Sequence, residues 1–370
     1  MNKLFFYTAA VFTMLFASCS QNEEVVTTTS KAKDATLSVM LVGQPLSRTA
    51  GIPAVSGDLP GESNLNTVTM ALFDSTGNLS SEIKTFTTDL TGTLNINVIS
   101  GTGQTLFVLA NIPESYFTGL TTLAEFYGVK AKLTDILNAA GEFDSYKLPM
   151  MGKVDNMTVT KGDALLVDVI MTRMVARVML NSIDIQVGTK RPGATFVPTR
   201  VFMYNSATEM LTDPTKDFLS TWSAINTGEE FTNPTGLEYL GNDYDALAPN
   251  NKFWYYIPSY EYDATDPDWE DRLVKLVIKG QYKASATDAE KTVYYMIVVN
   301  NDQYGAVTFT GNNPFAGDGK IYHNTTYTIN AVLKGQGSDS PGDNVTPTML
   351  DVNLTVDGWA LDITQDITFG

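Results

Sequence analysis

The sequence is short of the residues that most often carry chemistry. It holds one cysteine, Cys19, and one histidine, His323. A single cysteine excludes an intrachain disulfide, the pair excludes a Cys/His metal cluster, and catalysis has at most one imidazole base. No nucleophile motif and no Gly-rich phosphate loop stands out, so the residues do not point to an enzyme, and no cofactor is expected. Basic residues are scarce as well. The 24 Lys and Arg face 41 Asp and Glu, for a formal net charge of −17. Such a surface repels nucleic acid and anionic membranes, which excludes a nucleic-acid-binding role. Of the 370 residues, 43% are hydrophobic and 18% charged, as in a folded chain with room for two domains.

Long apolar runs are absent except at the N-terminus. "MNKLFFYTAAVFTMLFASCSQNEE" has a charged start at Lys3 and an apolar run from Leu4 to Phe16 that ends in small residues. That run is too short to span a membrane comfortably and reads as a secretion signal over residues 1–18. "LFASC" is similar to a bacterial lipobox, with Ala17 and Ser18 ahead of Cys19 and with Phe16 where Leu is usual. Two readings stay open: lipidation of Cys19, or ordinary cleavage after Ser18 with an incidental cysteine. Either way the body is expected to be exported and soluble.

What is present in quantity is strand pattern. "ATLSVMLV" (35–42), "TVTMALFD" (67–74), "TLNINVIS" (93–100) and "QTLFVLANIP" (104–113) are β-rich runs bounded by turn residues. So are "TRVFMYN" (199–205), "FWYYIP" (253–258), "RLVKLVIKG" (272–280), "TVYYMIVVN" (292–300) and "TTYTINAVLKG" (325–335). One segment departs from this. In residues 121–141, Leu123, Phe126, Tyr127, Leu133, Ile136 and Leu137 recur at three- and four-residue spacing, which predicts a helix stopped at Gly141. Residues 164–187 form a long β-rich passage without Gly or Pro, read as a junction between two domains. The pattern predicts an all-β chain of sandwich type with one or two short helices.

Two strand units lie at the ends. At the front, Ala35, Leu37, Val39 and Leu41 share one face of a strand. A Gly-Pro-Ser loop, "GQPLSRTAG", follows and carries Arg48, the first arginine in the chain; the next is Arg173. At the back, the Gly-Ser-Pro-Asp stretch "GQGSDSPGDN" (335–344) reads as a flexible linker. Beyond it Val352, Leu354 and Val356 alternate, then Trp359, Leu361 and Ile363, then Ile367 and Phe369.

The combination resembles the fimbrillins of Bacteroidales over nearly the whole chain. The resemblance is carried by the lipoprotein signal, "FVLANIP", "LPMMGKV", "VDVIMTRMVARVML", "IYHNTTYTINAVLKGQGSDSP" and "LDVNLTVDGWAL"; "TRMVARV" and "HNTTYTINAVLKGQGS" are the most specific. It implies two transthyretin-like β-sandwich domains in tandem. It also implies a lipoprotein precursor that reaches the outer membrane and then a cell-surface fimbrium. A trypsin-like maturation protease would cut after an arginine and remove the leader with its first strand. A C-terminal strand of a neighbouring copy would fill the groove left behind, and adhesion would be the filament's task.

Carried onto this sequence, the scheme expects a signal peptide at 1–18, lipidation at Cys19 and a propeptide at 19–48 with cleavage between Arg48 and Thr49. The displaced strand would present Leu37, Val39 and Leu41. The domains would be 49–175 and 176–344, and 345–370 would be the donor segment. Val352, Leu354 and Val356, or Trp359, Leu361 and Ile363, or both sets, would enter the neighbour. Partners would be other copies of the chain, accessory fimbrial subunits, the protease and, through the lipid, the outer membrane. Alternatives are an accessory, anchor or tip subunit, a permanent first strand with Arg48 as a solvated loop residue, a tail packed on its own domain, and a monomeric glycan-binding surface lipoprotein. The last would use Trp222, Trp254 and Trp269 with the aromatic run "FWYYIPSYEY" (253–262). The acidic "DATDPDWED" (263–271) could attract Ca²⁺ but lacks the glycine and distal glutamate of an EF-hand loop.

Overall fold

Alternating segments with one apolar face need a second layer to cover that face. In the computed structural model they are strands stacked as sandwich-like sheets, described over residues 32–43, 59–141, 144–220, 240–244, 253–301, 306–308, 317–343 and 350–358. The described residues from Lys33 onward belong to one compact unit. The first strands are β1 (Ala35–Gly43), β2 (Val68–Phe73), β3 (Lys84–Phe86), β4 (Leu94–Val98), β5 (Gly101–Ala110), β6 (Lys130–Lys132), β7 (Met150–Val159) and β8 (Ala164–Arg173). Then come β9 (Val175–Ile185), β10 (Thr195–Tyr204), β11 (Glu209–Leu211), β12 (Gly241–Asp243), β13 (Phe253–Pro258) and β14 (Lys275–Lys283). The last are β15 (Lys291–Val298), β16 (Ala306–Thr308), β17 (Thr325–Leu333) and β18 (Leu350–Gly358). Among the described residues helix is confined to α1 (Leu123–Tyr127), α2 (Val187–Lys190) and a few short 3₁₀ turns. Among the described residues no helix is long and apolar enough to cross a membrane.

Residues up to Arg173 supply a seven-stranded sheet in the order β3-β2-β5-β7-β8-β1-β4. β7 and β8 pair only at Met150–Arg173 and Met151–Thr172. This narrow join separates one leaf, β3-β2-β5-β7, from another, β8-β1-β4. Gly152 lies at the join, where a Cβ would come within 2.6 Å of Val169 Cγ1. The later residues supply a four-stranded sheet, β12-β10-β14-β15, and a five-stranded sheet, β13-β9-β17-β18-β16. A two-stranded ribbon of β6 and β11 crosses between the two groups.

The helix expected over 121–141 is mostly not formed. Thr122 and Glu125 close a capping box that starts α1, and Gly128 caps it after five residues. The chain then turns into β6 and a 3₁₀ turn at Leu133–Ile136. Phe126, Leu133 and Ile136 are still buried, because a short helix, a strand and a turn in succession deliver the same side chains inward. Phe126 meets Phe73 edge-on at 5.1 Å and stacks on Phe117 at 5.4 Å. Gly141 adopts φ +81° in a turn and stops no helix.

The stretch expected to be a flexible linker is docked as far as Asp343. Ser338 exchanges two main-chain hydrogen bonds with Tyr294 of β15, at 2.8 and 2.9 Å. Lys291 pairs with Asp339 at 3.1 Å, and the buried Lys275 ammonium donates to the Gly342 carbonyl at 2.9 Å. Burial lowers the Lys275 pKa to about 8. The stretches between β10 and β13 and between β15 and β17 contain the short strands β11, β12 and β16.

Asparagines punctuate the strand ends. Asn111, Asn205, Asn300 and Asn324 all have φ between 53° and 60°, the left-handed region that asparagine tolerates best among residues with a side chain. Each uses its amide on other segments. Asn111 accepts from the Asn66 N–H at 2.8 Å and donates to the Asn64 and Leu148 carbonyls. Asn300 donates to Asp318 and to the Lys320 carbonyl, both at 2.9 Å.

A buried ionic cluster ties the turn at Leu59–Asn64 to the later sheets. Glu62 is fully buried and receives Arg177 at 2.6 Å and the Tyr256 hydroxyl at 2.7 Å. Arg173 donates to the Glu62 carbonyl at 3.2 Å and to Ser63 Oγ at 3.3 Å. Burial, reinforced by the Glu62 charge, pushes the Tyr256 hydroxyl pKa upward, so it remains a donor. Removing one member of a buried pair strands the other. Glu62→Ala is therefore expected to lower the unfolding free energy by about 3–5 kcal/mol, read from urea denaturation followed by tryptophan fluorescence.

Candidate functional site

β1 is the middle strand of the leaf β8-β1-β4. Ala35, Leu37, Val39 and Leu41 point into the core, and the last three have no exposure at all. Thr36, Ser38, Met40 and Val42 are half-buried on the other face. One edge pairs antiparallel with β4, from Ala35–Val98 to Val39–Leu94. The other pairs parallel with β8, from Thr36–Ala164 to Gly43–Met171. Both edges are thus satisfied by main-chain ladders, and burial of each Leu or Val side chain is worth about 1.5–3 kcal/mol. Taking this strand away would leave a slot with two open edges and a row of apolar hollows.

The start of β1 is clamped by polar groups that strand pattern does not reveal. The Asp34 carboxylate accepts from the Ser100 N–H at 2.7 Å and the Ser100 hydroxyl at 3.0 Å. Its carbonyl accepts from the Gly162 N–H, and its own N–H donates to the Val98 carbonyl. Lys33 pairs with Glu82 at 2.9 Å, an exposed bridge, and Ser38 donates to Asn95 at 2.7 Å. The Ser100 N–H, foremost, holds the Asp34 carboxyl below the usual aspartate range.

The other predicted positions are dispersed. β18, with Val352, Leu354 and Val356, pairs antiparallel with β17 along its whole length and parallel with β16 over three residue pairs. Leu350, Val352 and Leu354 are buried there. The tail strand is therefore seated in the chain's own five-stranded sheet, away from β1 in the seven-stranded one. Cys19, Arg48, Thr49, Trp359, Leu361 and Ile363 lie outside the described residues.

The aromatic residues weighed as a glycan platform are divided. Tyr255, Tyr256 and Tyr260 are buried and Trp254 is exposed. Trp269 stacks on Tyr262 at 5.1 Å, while Trp222 lies outside the described residues. In the acidic loop Asp266 pairs with Arg272, and Asp263 accepts from Thr265. No group of three or more His, Cys, Asp or Glu is placed to hold a metal among the described residues. His323 is buried just before β17, with Nδ1 at 3.2 Å from the Arg173 carbonyl.

With β1 as its first matched strand, the family model described as the major fimbrial subunit protein (FimA) matches residues 35–221. The chain belongs to this family. FimA proteins are structural subunits of fimbriae at the cell surface and not enzymes. Among curated proteins none matches the chain significantly. Solved structures agree on the fold. A fimbrilin (FimA) from Porphyromonas gingivalis W83 is similar with a TM-score of 0.66 at 19% identity, covering 90% of this chain and 99% of its own. The tip fimbrial protein Mfa3 from Porphyromonas gingivalis, with a C-terminal truncation, is similar at 0.50 and 15% identity, covering 88% of this chain and 100% of its own.

Two outcomes follow for β1 in this FimA-family chain. Leu37→Ala is expected to cost about 2–5 kcal/mol of stability, and Thr36→Ala, facing outward, about 0.5 kcal/mol or less, both by chemical denaturation. Asp34 has a depressed folded-state pKa, so its contribution is present above the ordinary aspartate pKa and lost as pH falls through the depressed value. The gap in urea midpoint between wild type and Asp34→Asn should therefore be open at neutral pH and close in acid; a gap constant with pH would contradict the clamp.

Proposed function

We propose that this chain is a shaft subunit whose polymerisation is switched on by cleavage after Arg48 and completed by strand exchange between copies. The observation that carries the proposal is the position of β1. A strand that belongs to the segment ahead of Arg48 fills a slot between β4 and β8, paired on both edges. While it stays, the slot is occupied by the chain itself. Once a trypsin-like protease frees residues 1–48, β1 is held only by non-covalent contacts, and an extended strand of another copy can take its place. In this reading Cys19 carries the lipid that holds the precursor at the outer membrane. Residues 49–175 and 176–344 are the two sandwich domains, and other copies and accessory fimbrial subunits are the partners.

We assign the donated strand to Trp359, Leu361 and Ile363 rather than to Val352, Leu354 and Val356. β18 is bordered on both edges, and Val352 and Leu354 are buried in the home sheet. Withdrawing it would open the donor's own core. The segment from Trp359 to Phe369 alternates in steps of two, with Gln365 as the one polar residue in the apolar row, and has enough residues to match the nine of β1. A tip subunit at the filament's end need not donate a strand, so the patterned tail favours a shaft role.

Treatment of the precursor with a trypsin-like protease should give a stable product beginning at Thr49 that forms filaments by electron microscopy. Arg48→Ala should remain folded and monomeric under the same treatment. A product beginning at Thr49 that stays monomeric at high concentration would sink the proposal. For the tail, deleting residues 359–370 should abolish assembly without lowering the melting temperature, while deleting 350–370 should lower it. Filaments from the shorter deletion would overturn the assignment of Trp359, Leu361 and Ile363.

A further inference from the structure

β8 has one satisfied edge and one that is largely open. On the side of β1 it pairs from Ala164 to Met171. On the other side it is ladder-paired with β7 only at Thr172 and Arg173, Gly152 of β7 packs against Val169, Ile170 and Met171, and among the described residues no strand borders Ala164–Asp168 there. The outward row of this strand is apolar where solvent would favour polar residues. Leu166 is 56% exposed and Ile170 50% exposed, with Asp168 between them. In the uncleaved chain Ser38, Met40 and Val42 of β1 stand in register beside them; after the proposed exchange the incoming strand takes that place, and Leu166 and Ile170 stay. Among the described residues the exposed large hydrophobic side chains are Tyr146, Leu166, Ile170, Ile185, Val197 and Trp254, and of these only Leu166 and Ile170 share one face of one strand.

We infer that the outer face of β8, centred on Leu166 and Ile170, is a second contact surface covered by the neighbouring copy of this chain in the filament. The inference rests on the strand-exchange reading. The face is continuous with the exchange slot, since β8 forms one wall of it, so a neighbour whose strand enters the slot is brought to this face. Copies with a net charge of −17 repel one another. Contact between them is favoured where apolar side chains and unpaired main-chain groups outnumber carboxylates, and this row presents a single carboxylate. An open edge with an apolar row otherwise favours indiscriminate association; coverage by a copy gives it a defined partner.

Two measurements test this on the chain cleaved after Arg48, which lacks Cys19 and so has no natural thiol. In the first, Leu166→Cys is labelled with a maleimide before and after assembly. Labelling in filaments should be slower than in monomers by about tenfold or more. Equal rates would overturn the inference. In the second, the double variant Leu166→Ser with Ile170→Ser is compared with wild type for capture of a labelled synthetic peptide of residues 349–370 and for filament growth by light scattering. Peptide capture should be unchanged and growth at least about tenfold slower. Unchanged growth would overturn the role of this face while leaving strand exchange standing. A wild-type chain that forms filaments yet captures no peptide would sink the strand-exchange reading, and this inference with it.

Discussion

A strand paired along both edges and buried along one face cannot leave without opening two ladders and a row of apolar hollows, and β1 is held in that way. β4 and β8 do not border each other except through it. The leaf they form owes its continuity to Ala35–Gly43, which lies near the front of the sequence and ahead of the first arginine. In the proposed strand exchange, stability and readiness to associate are linked through this one element, because an extended segment with apolar residues at alternate positions can rebuild the same ladders.

On the far side of the Arg48 segment, the turn at Leu59–Asn64 is pinned by contacts that do not involve β1. From Leu59 onward the backbone is pinned by Glu62, whose carboxylate meets Arg177 and Tyr256 from the later sheets. The Asn111 amide fastens Asn64 and Asn66 to β5 and to the Leu148 carbonyl. None of these contacts uses a residue of β1. The polar clamp at Asp34, by contrast, belongs to the β1 side of the loop. Two separate sets of polar contacts thus flank the segment that carries Arg48.

Much of this was legible in sequence wherever burial on one face imposes a period of two. Leu37, Val39 and Leu41 alternate because Thr36, Ser38 and Met40 face outward, and the same logic located most of the longer strands. Three- and four-residue spacing was a weaker guide at 121–141, where α1, β6 and a 3₁₀ turn satisfy the same inward positions as one helix. The Gly-Ser-Pro-Asp stretch reads as flexible because its own residues favour no regular structure; its order comes from Tyr294, Lys291 and Lys275 on other strands. Glu62 was invisible for a similar reason. In "LPGES" it looks like a turn residue, and its partners are 115 and 194 residues away. The asparagines of "FVLANIP" and "HNTTYT" stood out as motif letters, and their left-handed backbones give the physical reason for those letters.

Only Met174 separates β8, a wall of the slot, from β9, the strand that carries β17 and, beside it, β18. In the proposed filament, joined through the slot at one end and the tail at the other, a pull would pass through that covalent step, flanked by the β6–β11 ribbon and the Glu62 cluster. On either side it would be borne by parallel ladders, β1 or its replacement along β8 and β17 along β9. Force directed along such strands loads the rungs together in shear rather than unzipping them one at a time. The sequence order β8–Met174–β9 thus gives the subunit the mechanics of a rope splice, with overlapping strands gripping over their length and a continuous core running through the join.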